Sequence, residues 1–170
     1  MRAWFAVAML TVAVAACADQ TRPLGTHPAG STVPPGVPDG AQPVVVRPVF
    51  SMATSGVTDS RQVVIRDGAA WQTFWQAAAG IIVPTPPAPE VNFSQDMVIA
   101  ASLGQRPTGG YAVAIDAVYE AQGQLFVVVS EMAPAPGSIV TQSVTAPVVA
   151  VSTPRSDATV VFVPASGTNP

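Results

Sequence analysis

The chain has 170 residues, 49% of them hydrophobic and 10% charged, with a formal net charge of −3. That is enough apolar material for one ordinary domain plus extensions. Its seven basic residues are all arginines and never form a run, which excludes the clustered positive surface of a nucleic-acid binder; without lysine, Lys-based nucleophiles and Walker-type phosphate loops are excluded as well.

Met1-Arg2 supplies a short positive end, and Ala3 to Ala16 is an uncharged apolar run. A bilayer-spanning helix needs about 20 apolar residues, so a shorter run of this kind reads as a signal-peptide core. Val14-Ala15-Ala16-Cys17 resembles the bacterial lipobox. The resemblance implies that residues 1–16 are removed and that Cys17 carries lipid, including palmitate-type acyl chains, which would anchor the protein to a membrane. Ala18 follows the cysteine where inner-membrane lipoproteins of Gram-negative bacteria carry Asp. The resemblance therefore points to the outer membrane of the cell envelope, with the domain in the periplasm or at the surface. Cys17 is the only cysteine, so no intramolecular disulfide is available to it.

Residues 17–43 are rich in Pro and Gly and poor in large apolar side chains. Such a segment cannot bury enough surface to offset its ordering entropy, and it is expected to be a disordered tether. The one histidine, His27, falls in it and reads as a solvated linker residue.

The folded domain is expected over 44–170. Residues 44–52 are strand-like, with Pro48 marking an edge, and Arg61 to Arg66 form a second strand. Asp67 reads as an N-cap, whose side-chain oxygen can accept from a free amide of the first turn. A helix over 68–79 then carries Trp71, Phe74, Trp75 and Ala78 on one apolar stripe, facing the core, with Gly80 as the stop. Residues 83–89 make a rigid, proline-rich connection. Asp96 to Leu103 is apolar on both faces and therefore a central strand. Next comes a tight corner, Arg106-Pro107-Thr108-Gly109-Gly110-Tyr111, whose paired glycines suit positive φ. From Tyr111 to Tyr119 the odd positions make a period-two apolar face. Ala121-Gln122-Gly123 is a hairpin turn leading back into Leu125–Ser130. A loop at 134–138, a short strand over 140–145 and two closing strands at 147–151 and 159–163 complete the chain. The pattern is mainly β, of α+β type: a small antiparallel sandwich or open barrel with one amphipathic helix packed on it.

In order and spacing, Val63-Val64-Ile65, the Trp71–Trp75 helix, Asp96–Ile99, Arg106–Tyr111, Val128-Val129 with Glu131, Pro134 and Gly137, and Thr145-Ala146-Pro147 resemble the C-terminal domain of the PrcB family. The resemblance spans roughly 57–163. It implies an exported protein, often a lipoprotein, akin to an accessory subunit of a surface protease complex, and it brings no catalytic residues.

The residues themselves offer little chemistry. A Ser-His-Asp or Cys-His site, or a zinc site, needs a histidine or cysteine placed by the fold, and the domain contains neither. Glu90, Asp96, Asp116, Glu120 and Glu131 are the acids a glycosidase pair would draw on, with nothing in their spacing to bring two together. The expectation is a protein that is not an enzyme, with no cofactor and no metal, contacting a membrane through acylated Cys17 and an exported, protease-like protein through its domain. The alternative is a small glycan- or peptide-binding module of the envelope. Arg106, Tyr111 and Glu131 are the candidate binding residues, with Pro107, Gly109 and Gly110 shaping the corner that carries them.

Overall fold

The structure is a computed structural model that describes residues 33–165. The expected signal peptide, Cys17, His27 and the first part of the tether lie outside these residues. Among the described residues eight strands and one helix form: β1 (Gln42–Val44), β2 (Arg47–Met52), β3 (Ser60–Ile65), α1 (Gly68–Ala79), β4 (Asp96–Leu103), β5 (Ala112–Ala121), β6 (Gln124–Met132), β7 (Val148–Pro154) and β8 (Thr159–Pro164). They build two four-stranded sheets, in the orders β1-β5-β6-β8 and β2-β7-β4-β3. The fold is the expected small β-sandwich with one helix, not a closed barrel. No helix among the described residues is long and apolar enough to cross a membrane.

Three apolar layers hold it together. Between the sheets lie Met97, Ile99, Ala101 and Leu103 of β4 against Val113, Ile115 and Val118 of β5 and Leu125, Val127 and Val129 of β6. The alternate residues of β4, Val98 and Ala100, point the other way, onto Trp71, Phe74 and Trp75 of α1. That two-sided burial explains why β4 reads as continuously apolar. Phe126, Val128 and Val163 form a third layer on the outer face of the first sheet, covered by Val37 and Ala41.

The third layer moves the expected tether boundary. Residues 33–43 are not a solvated linker: Val37 and Ala41 are both 8% exposed. Two tight turns, closed by Val37 N–H to the Pro34 carbonyl and Ala41 N–H to the Pro38 carbonyl, carry these residues onto the sheet. Here proline and glycine build turns that aim sparse apolar side chains, so composition alone misleads. Gly36 belongs to this packing, since a Cβ there would sit 3.2 Å from Val163 Cγ1.

The stretch 44–52 is two strands rather than one. β1 pairs with β5 and β2 with β7, so the chain changes sheets at Val45-Val46. Both are edge strands, in keeping with Pro43 and Pro48. The helix is as expected. Asp67 Oδ1 accepts from Ala70 N–H at 2.8 Å, and α1 ends at Gly80 in ordinary right-handed geometry. The two indoles also fasten the proline-rich connection, since Trp71 Nε1 donates to the Pro89 carbonyl at 2.9 Å and Trp75 Nε1 to the Pro86 carbonyl at 2.8 Å.

β5 departs from strict alternation. Its register against β6 shifts between Ile115 and Ala117, a bulge at Asp116 that reverses the facing of the later residues in the strand. Val113, Ile115 and Val118 therefore share the inter-sheet core, while Ala117 and Tyr119 join the outer layer. The β5–β6 turn is the expected hairpin, with Gln122 at φ 53° and Gly123 at φ 72°, the two positive values of a type I′ turn. β8 pairs with β6 in parallel, so the first sheet is mixed rather than wholly antiparallel. Residues 140–145 form no strand; Thr145 makes a single bridge to Arg106.

Candidate functional site

Among the described residues the sandwich is open along one side. There β3, at the edge of one sheet, faces β8, at the edge of the other. A cleft of about 530 Å³ lies at one end of this seam. Its walls are Gln62 of β3, Phe162 to Pro164 of β8, and Glu131-Met132-Ala133 at the end of β6; Leu103 and Val129 form its apolar floor, and Arg106 and Tyr111 close it.

The corner brings Arg106 there. β4 ends at Leu103, and Gly104 turns the chain with φ 69°. Arg106 then exchanges backbone hydrogen bonds with Thr145, at 2.8 and 3.0 Å. Thr145 Oγ1 donates to the Thr108 carbonyl at 2.8 Å, and Gly109 N–H donates to the Thr141 carbonyl at 2.9 Å. The corner is thus laced to 141–145. Of the glycine pair only Gly110 takes positive φ, at 88°; Gly104 is the other such glycine in this turn, and Gly109 needs no such freedom. A Cβ on Gly110 would fall 2.9 Å from Pro134 Cβ. Gly110 and Pro107 are solvent-exposed, and neither they nor Gly109 line the cleft; they shape the turn.

Arg106, Tyr111 and Glu131 do converge. The Arg106 guanidinium carbon lies 5.7 Å from the Tyr111 ring centroid, a cation–π arrangement. Arg106 Nη2 is 3.8 Å from Glu131 Oε2, with the two side chains 33% and 54% exposed. Arg106 Nε is buried without a hydrogen-bond partner. So long and open an ion pair adds little stability. Glu131→Gln is expected to change unfolding free energy by less than about 0.5 kcal/mol in urea titration.

The remaining acids lie apart. Asp96 pairs with Arg47 at 3.3 Å, Asp116 accepts from Ser130 Oγ at 3.0 Å, Glu120 stands opposite Gln42 and Leu125, and Glu90 sits in the proline-rich connection beside α1. Glu131 is the one carboxylate among the residues lining the cleft. Among the described residues no cluster of three His, Cys, Asp or Glu side chains is placed to hold a metal. Trp71 and Trp75, at 2% and 6% exposure, are core residues and offer no sugar-stacking platform.

This geometry falls on the part of the chain that comparison with known families identifies. Residues 97–154 match the model of the PrcB C-terminal family. The resemblance read from the motifs therefore holds over that segment. The matched segment takes in nearly all of β4 and the whole of β5, β6 and β7, and with them Arg106, Tyr111 and Glu131. β3, α1 and β8, which complete the seam and the helix layer, lie outside the matched range. Neither a curated protein nor a solved structure matches the chain. Gln62 and Phe162 are wall residues that sequence reasoning does not single out; Phe162 alternates with Val161 in a short apolar strand, and its seam position depends on the parallel pairing of β8.

Proposed function

We propose that this protein is a non-catalytic accessory lipoprotein of a bacterial cell envelope. Its β-rich domain binds or stabilises an exported protein, a component of a protease complex. The observation that carries this reading is the PrcB C-terminal match over residues 97–154, whose segment contributes one wall and the floor of an open cleft with a single carboxylate, Glu131, facing Arg106. An accessory role needs shape and an accessible surface, and the cleft offers both. The lipobox-like Val14–Cys17 segment supports membrane attachment, and Ala18 in place of Asp after the cysteine favours the outer membrane. A co-anchored partner would then meet the domain at raised effective concentration.

The test is photocrosslinking in intact cells from position 62 or 132, beside a control at position 116 on the bulge. Recovery of one exported protease component from the cleft positions alone is the expected result. Adducts with no exported protein, or equal adducts from position 116, would sink the reading. Cys17→Ser is expected to abolish fatty-acid labelling and leave uncut precursor; persisting label would refute the lipid-anchor assignment.

A second reading, a peptide- or glycan-binding envelope module, draws on Tyr111 and Arg106 at the cleft mouth. It predicts binding of a small ligand to the purified protein with no protein adduct in cells.

A further inference from the structure

The two sheets have four edges, and they are not equivalent. β1 has three residues and contains Pro43. β2 contains Pro48, and its register slips between Pro48 and Phe50. Short length, proline and irregular register are the usual ways of blunting an edge against further pairing. β3 and β8 lack these devices. Each has six residues in unbroken register with its one partner strand, and in β8 the proline comes only at the last position. The two unblunted edges are the two that border the seam.

From the cleft the seam runs past Ser60 and Gln62 opposite Phe162 to a hollow between Val64 and Val160. Its floor is apolar at the cleft end, at Leu103 and Val129; farther along, Ser60, Gln62 and Ser102 make its lining more polar. At the cleft end Arg106 faces Glu131. At the far end the Arg66 guanidinium is engaged by the Ser156 and Ala158 carbonyls at 2.9 and 3.1 Å, beside Asp157. Arg61 of β3 turns away, its guanidinium carbon lying 5.6 Å from the Phe74 ring centroid on the helix side.

We propose that the seam between β3 and β8 receives an extended, uncharged polypeptide segment of about six residues, with apolar side chains at alternate positions, paired by its backbone to one or both edges. The inference rests on the binding role proposed above and names the chemistry of the segment bound. An edge strand presents outward N–H and C=O groups that only another extended backbone satisfies in register. A strand laid there turns alternate side chains down onto Leu103, Val129 and Phe162 and the rest to solvent. A glycan would find half-buried Tyr111 and Phe162 rather than an exposed aromatic platform, and an anionic ligand would meet an arginine already facing a carboxylate.

The test uses the full-length chain and two fluorophore-labelled synthetic peptides, the uncharged capped Thr-Val-Thr-Val-Thr-Val and the same peptide N-methylated at alternate residues. Affinity is read by fluorescence polarisation, and amide hydrogen exchange by mass spectrometry. The expected result is protection confined to residues 60–65 and 159–164, with the N-methylated peptide at least about tenfold weaker because several backbone hydrogen bonds are lost. Equal binding of both peptides, protection confined to 133–145, or no binding at millimolar peptide would overturn the proposal. Protection of the seam without peptide that grows with protein concentration would also overturn it, assigning the seam to a second copy. If the peptide binds as expected but cells yield no exported-protein adduct, the accessory reading fails while the strand site stands; adducts without peptide binding place the partner on another surface.

Discussion

Gly104→Ala is expected to lower the melting temperature by roughly 10 °C, the consequence of about 3 kcal/mol lost in a domain of this size. Two costs combine. Gly104 holds φ 69°, where a side chain costs roughly 1–2 kcal/mol. A Cβ there would also stand 2.6 Å from Ser60 N, 2.8 Å from the Asp59 carbonyl carbon and 2.9 Å from the Thr58 oxygen. All three are backbone atoms, so no side chain can swing aside, and relief requires moving the start of β3. The matched comparison is Gly40→Ala. Gly40 has φ 78°, yet nothing lies within 4 Å of its Cβ position, so only the dihedral cost of about 1 kcal/mol applies, reduced by the lower entropy of the unfolded alanine chain. Gly36 is unsuited to that comparison because of Val163. Equal melting temperatures for Gly104→Ala and Gly40→Ala would contradict the close approach of the β4 turn to β3.

Trp75→Ala is the second large effect, about 3–5 kcal/mol by urea denaturation, the usual cost of deleting a buried aromatic. The indole is 6% exposed and meets the Phe50 ring nearly edge-on, at 5.1 Å between centroids and 82° between planes. Because its Nε1 also holds the Pro86 carbonyl, the loss reaches beyond volume. Trp75→Phe keeps most of the packing and gives up that hydrogen bond, for about 1 kcal/mol plus the smaller ring. Limited proteolysis separates the contributions. Cleavage within 83–89 should accelerate in both variants, while global unfolding should fall much further in the alanine variant. A Trp75→Ala protein of unchanged stability would remove α1 from the core.

Features set within a few residues were legible in the sequence. The Asp67 cap, the aromatic stripe of α1, the two-faced apolarity of β4 and the Gln122-Gly123 turn each arise from neighbours in the chain, and each is present. Features that depend on a distant partner were not. One insertion at Asp116 reverses the facing of half of β5 without altering its composition. The sheet change at Val45-Val46 leaves no break in a β-rich run. Val37 and Ala41 are ordinary residues in a proline-rich stretch until Phe126 and Val163 lie beneath them. The corner was singled out for its glycines, but its anchor is Thr145, far along the chain. Arg106, Tyr111 and Glu131 meet because β5 pairs with β6 in a register that sets Val113 opposite Glu131. The strand at 159–163 was legible, but not its place as the opposite wall, since an edge is defined only by what fails to pair with it.

The connectivity also fixes an order of events during folding. Of the pairings in the two sheets, the β5–β6 hairpin closes across a two-residue turn, and such local contacts form fastest. β1 must wait for β5, and β2 for β7, which lies near the far end of the chain. β7 then sits between β2 and β4, so until it is present the second sheet consists of β3 and β4 alone. A chain emerging N-terminus first therefore carries its earliest strands unpaired through most of its length. Completion of the sandwich is a late, long-range event, with the C-terminal strands acting as the keystone rather than the finish.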